Sequence, residues 1–470
     1  MSSAYRTSSR SQPRRTEKLL VRGREEFLPG GSSPPSLPAS ATRGESTVDT
    51  KAVSSFREPE AVREHLADIL DFWLDARDER HGGYTSQVRS DTTVHDRSTR
   101  HLVASARFVV QFSLGALHDA GARFRNAAAE ALEFLTRVHR DRRNGGYHWV
   151  LRVTDDGFEV ADSRKQTYGH AFVLLAGATA TSAGVPGGRE LLDEARAICE
   201  EKLLGAQGLA VNTVSADWTE VSPYRGQNAN MHLCEAFLAA YDATGDPGDL
   251  HRAYRIADAI ARRIPTGIGG FVWENYREDW SPDWAEAPRD LGSVESAFGI
   301  SPGHQVEWAK LLGILARHDP AEWLLPQAVH LHRLAWDHGW EREHGGFVSG
   351  LRRDLSVSHR EPAYWAPAEA IGAAAVLQER TGDEGYRTYS DRAWEHALTH
   401  LVDHEHGGWF TAPAPRSERH DFRKGDAFEP DYHSAGACAE TLRSRSGRIQ
   451  LQGQVKGLDE EVPMRGAHHV

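Results

Sequence analysis

The chain has 470 residues, 39% hydrophobic and 26% charged, with 55 Lys and Arg against 67 Asp and Glu and a net charge of −12. That balance disfavours polyanion binding, which needs a concentrated positive face, so no nucleic-acid partner is expected. No apolar run approaches the ~20 residues of a membrane helix, so no membrane partner is expected either. Cys199, Cys234 and Cys438 are too scattered for a disulfide framework or a zinc site, a pattern that fits a cytoplasmic protein.

Residues 1–54 are rich in Ser, Pro and Arg without apolar periodicity, and read as a disordered tail because they offer no surface to bury. Residues 55–446 read as one catalytic domain, and 447–470 as a second tail. Within the domain a repeat recurs: a charged amphipathic run, a Gly-Gly-aromatic marker, then an apolar run with small residues. The markers are Gly82-Gly83-Tyr84, Gly145-Gly146-Tyr147, a degenerate Gln207-Gly208-Leu209, Gly269-Gly270-Phe271, Gly345-Gly346-Phe347 and Gly407-Gly408-Trp409. Their second glycines are spaced 63, 62, 62, 76 and 62 residues apart. Runs such as HAFVLLAGATATSAG are apolar nearly all round, as buried helices are, whereas AVREHLADILDFWLDAR carries its charges on one face. Six outer and six inner helices in alternation predict an all-α fold, an (α/α)6 barrel.

Near the start of each inner helix stands a polar residue that a core helix does not need: Arg100, His170, His232, His304, Glu369 and His433. In a ring of parallel inner helices these six converge on one mouth. Two of the histidines have a carboxylate three residues on, Glu235 after His232 and Glu307 after His304, which places ring and carboxylate on one helix face. Such a carboxylate orients an imidazole and favours its charged form. Each histidine taken alone is more simply a satisfied core residue; the ring arrangement is what points to a site.

Six segments carry a resemblance across residues 58–445: Thr99-Arg100-His101-Leu102-Val103, Tyr168-Gly169-His170-Ala171-Phe172, Tyr224-Arg225-Gly226 with Asn230-Met231-His232-Leu233-Cys234-Glu235-Ala236, Gly303-His304-Gln305-Val306-Glu307-Trp308, Tyr364-Trp365 with Glu369, and Asp431-Tyr432-His433. In these the chain resembles the N-acylglucosamine 2-epimerase family, and within it most of all the mannose isomerases. The resemblance implies cofactor-independent proton transfer at C2 of a sugar, with His232 and His433 as acid/base pair and Arg100 as a ligand of a substrate oxygen. It further implies that His170, Arg225, His304, Trp308, Trp365, Glu235, Glu307 and Glu369 bind the sugar or tune the two bases. The chemistry agrees, since an enediolate needs a base poised near neutral pH and a fixed positive charge. A small-molecule sugar is the expected partner, with a monomer or homodimer as the assembly.

Three other readings follow from the residues. The pairs His330/His332 and His404/His406 suggest a metal, but without a third spaced ligand no metal is assigned. A glycoside hydrolase on the same barrel would need two opposed carboxylates, and histidines outnumber carboxylates at the inner-helix starts. A carbohydrate-binding scaffold would have no use for a ring of ionisable groups that are costly to bury.

Overall fold

A computed structural model describes residues 50–118, 122–285, 299–411 and 423–446. The two expected tails lie outside these, except that residues 50–54 belong to a short helix, Thr50–Ser55. Among the described residues, twelve helices of eleven or more residues follow in alternation. The outer ones are α1 (Pro59–Leu74), α3 (Ala122–Phe134), α5 (Gly188–Ile198), α7 (Pro247–Ala257), α9 (Leu324–His338) and α11 (Tyr386–His396). The inner ones are α2 (Leu102–His118), α4 (Thr167–Ser182), α6 (Gln227–Thr244), α8 (Pro302–Leu315), α10 (Trp365–Thr381) and α12 (Tyr432–Ser446). Each inner helix packs on the next, and α12 returns to α2, so the ring closes and the (α/α)6 barrel is formed.

The two helix classes differ as their sequences require. Every residue of α8 is buried, and α4 is buried from Thr167 to Ala178. By contrast α5 buries Leu191, Leu192 and Ala195 on one stripe and turns Glu190, Asp193 and Glu194 outward. Small residues let the layers approach: a Cβ added at Gly177 of α4 would stand 2.5 Å from the backbone nitrogen of Leu192. The three cysteines are buried and free.

Each marker is a tight hairpin joining an outer helix to the mouth of the barrel. In the five double-glycine markers both glycines take φ between +70° and +111°, a region costly for residues with a Cβ. In the degenerate marker only Gly208 does, which is why Gln207 is tolerated beside it. A carboxylate caps several of these turns. Asp78 Oδ1 accepts from the N–H groups of Arg80 and His81, Asp141 Oδ1 from Arg143 and Asn144, and Asp403 Oδ1 from Glu405 and His406. The aromatic that follows is buried in every case. Short strands then lead into the inner helices: β1 (Thr99–His101) pairs with β2 (Val150–Thr154), which pairs with β3 (Gly157–Asp162). Likewise β4 (Lys165–Gln166) pairs with β5 (Thr213–Val214), and β6 (Arg225–Gly226) with β7 (Asn275–Tyr276). Because β1, β4 and β6 end where α2, α4 and α6 begin, they fix the height at which each inner helix starts.

Candidate active site

Counting from the first residue of each inner helix shows which side chains share a level. Arg107 of α2, Phe172 of α4, His232 of α6 and Glu307 of α8 are each the sixth residue, and Glu369 is the fifth of α10. These side chains meet. The Arg107 guanidinium lies over the Phe172 ring, 4.4 Å from its centroid, and the Phe172 and His232 rings are 4.7 Å apart. Glu307 brings a carboxylate oxygen within 4.8 Å of a ring nitrogen of His232, and a carboxylate oxygen within 4.8 Å of one of His433, so both imidazoles neighbour it. One turn deeper, at the ninth positions, stand Glu235 and Lys310.

Both histidines expected to carry the chemistry are anchored through Nδ1 to a glutamate. His232 Nδ1 is 3.0 Å from Glu235 Oε2, the pairing that three-residue spacing predicts, and Tyr432 donates its hydroxyl to Glu235 Oε1 at 2.7 Å. His433 Nδ1 is 2.7 Å from Glu369 Oε1, across 64 positions of sequence. With the carboxylates ionised, each ring donates Nδ1–H and keeps Nε2 as its basic atom. Burial holds the His232 pKa down at about 4, so this ring is uncharged at neutral pH. Although burial pushes the Glu369 carboxyl up, the Lys310 charge and the bond from His433 outweigh it and hold the pKa at about 2. Glu307 has no such support. Neither of its oxygens has a hydrogen-bond partner, and burial together with the Glu369 charge raises its pKa well above the usual range.

Arg107 is the residue of this cluster that the reading of inner-helix starts missed. Its Nη2 is 3.1 Å from Tyr168 Oη and 3.5 Å from His433 Nε2, its Nη1 donates to the Phe428 carbonyl at 3.1 Å, and it pairs with Glu429. A charged residue inside the fully buried stretch Leu102–Ser113 was the available signal. Arg100, expected to be level with the histidines, instead precedes α2 on β1 and corresponds to Lys165 of β4. Its Nη2 bonds to Asp78 and its Nη1 to the Thr99 carbonyl, as Lys165 Nζ bonds to Asp141 at 2.7 Å. Lys424 closes a third such pair with Asp403 at 2.8 Å. Arg100 Nε is buried without a partner.

The remaining expected residues divide between mouth and wall. Trp365, half-buried at the start of α10, stacks on His304 at 5.0 Å and lies 5.4 Å from the His433 ring, which makes it the aromatic shelf of the mouth. His304 does not meet Glu307: its Nδ1 lies 2.9 Å from Glu274 Oε1, just before β7, and 3.0 Å from Gln227 Nε2, the first residue of α6. Trp308 is fully buried, its indole N–H donated to Gln227 Oε1 at 2.7 Å. Both nitrogens of His170 are engaged, Nδ1 with the Gln166 carbonyl at 2.8 Å and Nε2 with the Tyr147 N–H at 3.2 Å, leaving neither for a sugar hydroxyl. Arg225 binds the Tyr224 carbonyl at 2.9 Å and approaches Glu278.

Two donor triads are spaced as a cation would need them: His232, Glu235 and Glu307, and Glu307, Glu369 and His433. The Lys310 ammonium and Arg107 guanidinium already supply the positive charge in this cluster, and Glu235 and Glu369 are committed to His232, His433 and Lys310. That donor set does not suit a resident divalent ion. Of the other histidine pairs, His332 is enclosed by Trp336, Tyr386 and Tyr389, and His404 Nε2 bonds to the Leu398 carbonyl. Among the described residues neither pair joins a third ligand.

Comparison with known proteins gives the family. Residues 82–437 match the family profile of N-acylglucosamine 2-epimerase (GlcNAc 2-epimerase). The D-mannose isomerase of Marinomonas mediterranea is 35% identical over 382 residues, covering 81% of this chain and 96% of its own, and that of Thermobifida fusca is 41% identical over 286 residues, 60% and 70%. A crystal structure of a D-mannose isomerase superposes with a TM-score of 0.78 at 34% identity, covering 83% of this chain and 99% of that one. The cellobiose 2-epimerase of Spirochaeta thermophila superposes at 0.70 with 25% identity, covering 83% and 97%. A family-76 glycoside hydrolase, the α-mannanase of Bacteroides thetaiotaomicron, reaches 0.57 at 12% identity over 85% and 99%, a likeness of fold alone. The chain belongs to the N-acylglucosamine 2-epimerase family.

Proposed function

We propose that the protein is an aldose–ketose isomerase acting on a free hexose of the mannose–fructose type through an enediolate. The observation that carries this reading is the pair of glutamate-anchored imidazoles, His232 on Glu235 and His433 on Glu369, both neighbouring Glu307 beside Arg107. The likeness to D-mannose isomerases along nearly their whole length supports the substrate class.

Each step has a residue suited to it. Ring opening needs a base at the O1 hydroxyl, and the uncharged His232 offers Nε2. The open-chain aldose then loses its C2 proton to His433 Nε2 while O1 gains one, and charge develops on the oxygens. Arg107 stands at that Nε2, and the N-termini of the inner helices point to the same mouth, so both favour the anion. Glu307, which burial and the Glu369 charge push towards its protonated form, can hydrogen-bond a sugar oxygen between the two rings. Return of the proton to C1, with loss of the O2 proton, gives the ketose. Return to C2 on the opposite face, from His232, would give the epimer. Arg100 and Arg225, on the strands that lead into α2 and α6, bind outlying oxygens, and Trp365 stacks on the sugar.

Incubation with mannose, fructose, glucose, N-acetylmannosamine and cellobiose, read by NMR, tests the assignment. Interconversion of mannose and fructose is expected. Epimerisation of cellobiose or of N-acetylmannosamine without ketose formation would replace isomerase by 2-epimerase, and inertness towards all five with hydrolysis of a mannoside would overturn both.

A further inference from the structure

Lys310 is a buried ammonium that the mechanism does not use. It stands on α8 between the catalytic level and a cavity of about 440 Å³ at the opposite end of the barrel, whose walls include Leu114, Leu175, Leu238 and Ile314. Its Nζ bonds to Glu369 Oε2, while Oε1 of the same carboxylate holds His433 Nδ1. Lys310, Glu369 and His433 thus form one string from the back of the barrel to the base. We propose that Lys310 is a positioning residue: its ammonium keeps the Glu369 carboxylate ionised and turned, so that His433 donates Nδ1–H and keeps Nε2, beside Arg107, without a proton and able to take the substrate's.

The surroundings show why such a cation is needed. Around Glu369 stand Glu235 of α6, Glu307 and Lys310 of α8, and Tyr432 and His433 of α12. Three carboxyls thus share one buried space, and Arg107 is paired with Glu429. Glu307 shows what a carboxyl meets there without a hydrogen-bond partner: burial and the neighbouring Glu369 charge push it towards its protonated form. If Lys310 were replaced by an uncharged residue, Glu369 would follow Glu307 and take up a proton near neutral pH. A protonated Glu369 donates to Nδ1, which forces the proton of the ring onto Nε2, the tautomer that cannot act as base.

This inference rests on His433 being the base, and the experiment separates the two. K310M, K310R and H433N are assayed at saturating and limiting sugar across pH. For K310M, kcat should fall about 30-fold at pH 6 and recover to within about threefold of wild type near pH 9, as Glu369 ionises, with KM changed less than about twofold. K310R should keep the wild-type profile. Should K310M fold poorly, K310M/E369Q removes the unpaired charge and should recover the fold while staying about 30-fold slow at every pH. A K310M profile parallel to wild type, a loss carried in KM, or a double variant of full activity would overturn the positioning role. Full activity in H433N would overturn the assignment of the base instead.

Discussion

At the scale of single residues, the site divides into pairs the sequence displays and pairs only the fold makes. His232 and Glu235 are one helical turn apart in an apolar run, so their contact is legible from spacing. His433 with Glu369 and His304 with Glu274 join different segments, and no local signal marks them. Arg107 was hidden for another reason: Arg100 comes earlier and better matches a residue before a helix, and the height of α2 is set by β1, which spacing does not show. The two arginines make different demands. Lysine stands opposite a turn-capping aspartate at Lys165–Asp141 and Lys424–Asp403, so R100K should keep the Asp78 pair and leave the thermal midpoint within about 2 °C. If Arg100 also binds a sugar oxygen, R100K loses its second arm and kcat/KM falls about tenfold or more. Wild-type kinetics in R100K would leave Arg100 with the turn alone.

Among the elements, the markers were the most legible feature, because only glycine adopts their backbone at little cost. Their two positions are nevertheless unequal. A Cβ at Gly145 meets nothing within 4 Å, whereas one at Gly146 would stand 2.8 Å from Trp218 and 2.9 Å from His170 Nε2. G145A should therefore cost only the strain of a left-handed residue, about 1–2 kcal/mol. G146A should cost at least about twice that and break the bond between His170 and Tyr147. Denaturant melts of the two variants check this, and equal losses would mean that the turn shifts to make room. The wider 76-residue interval, by contrast, gave no hint of its content: it carries β7 and a long connection to α8.

For the molecule as a whole, the fold class followed from periodicity alone, since alternating amphipathic and wholly apolar helices have few other ways to pack. What periodicity could not show is how many histidines the core holds uncharged. Burial lowers His65, His139, His170, His232 and His396 to about 4 and His332 to about 3. These rings bind protons more readily in the unfolded chain, so folding weakens as pH falls from about 6.5 towards 4. Asp249 and Asp431, raised by burial to about 6, act in the opposite sense over part of that range but are outnumbered. The thermal midpoint should drop by about 10 °C or more between pH 7 and pH 4.5; a flat profile would mean that the core histidines are not held neutral. The central claim is that two imidazoles move the proton. Its most direct measurement follows mannose in heavy water by NMR with wild type, H232N and H433N. Wild type should place deuterium on C1 of fructose and on C2 of recovered mannose, to whatever extent the base exchanges with solvent. H433N should lose turnover and C2 exchange together by about 10²-fold or more, while H232N loses comparable turnover through ring opening and O1. Near wild-type turnover in both variants would contradict the account and shift the chemistry to Glu235, Glu307 or Glu369.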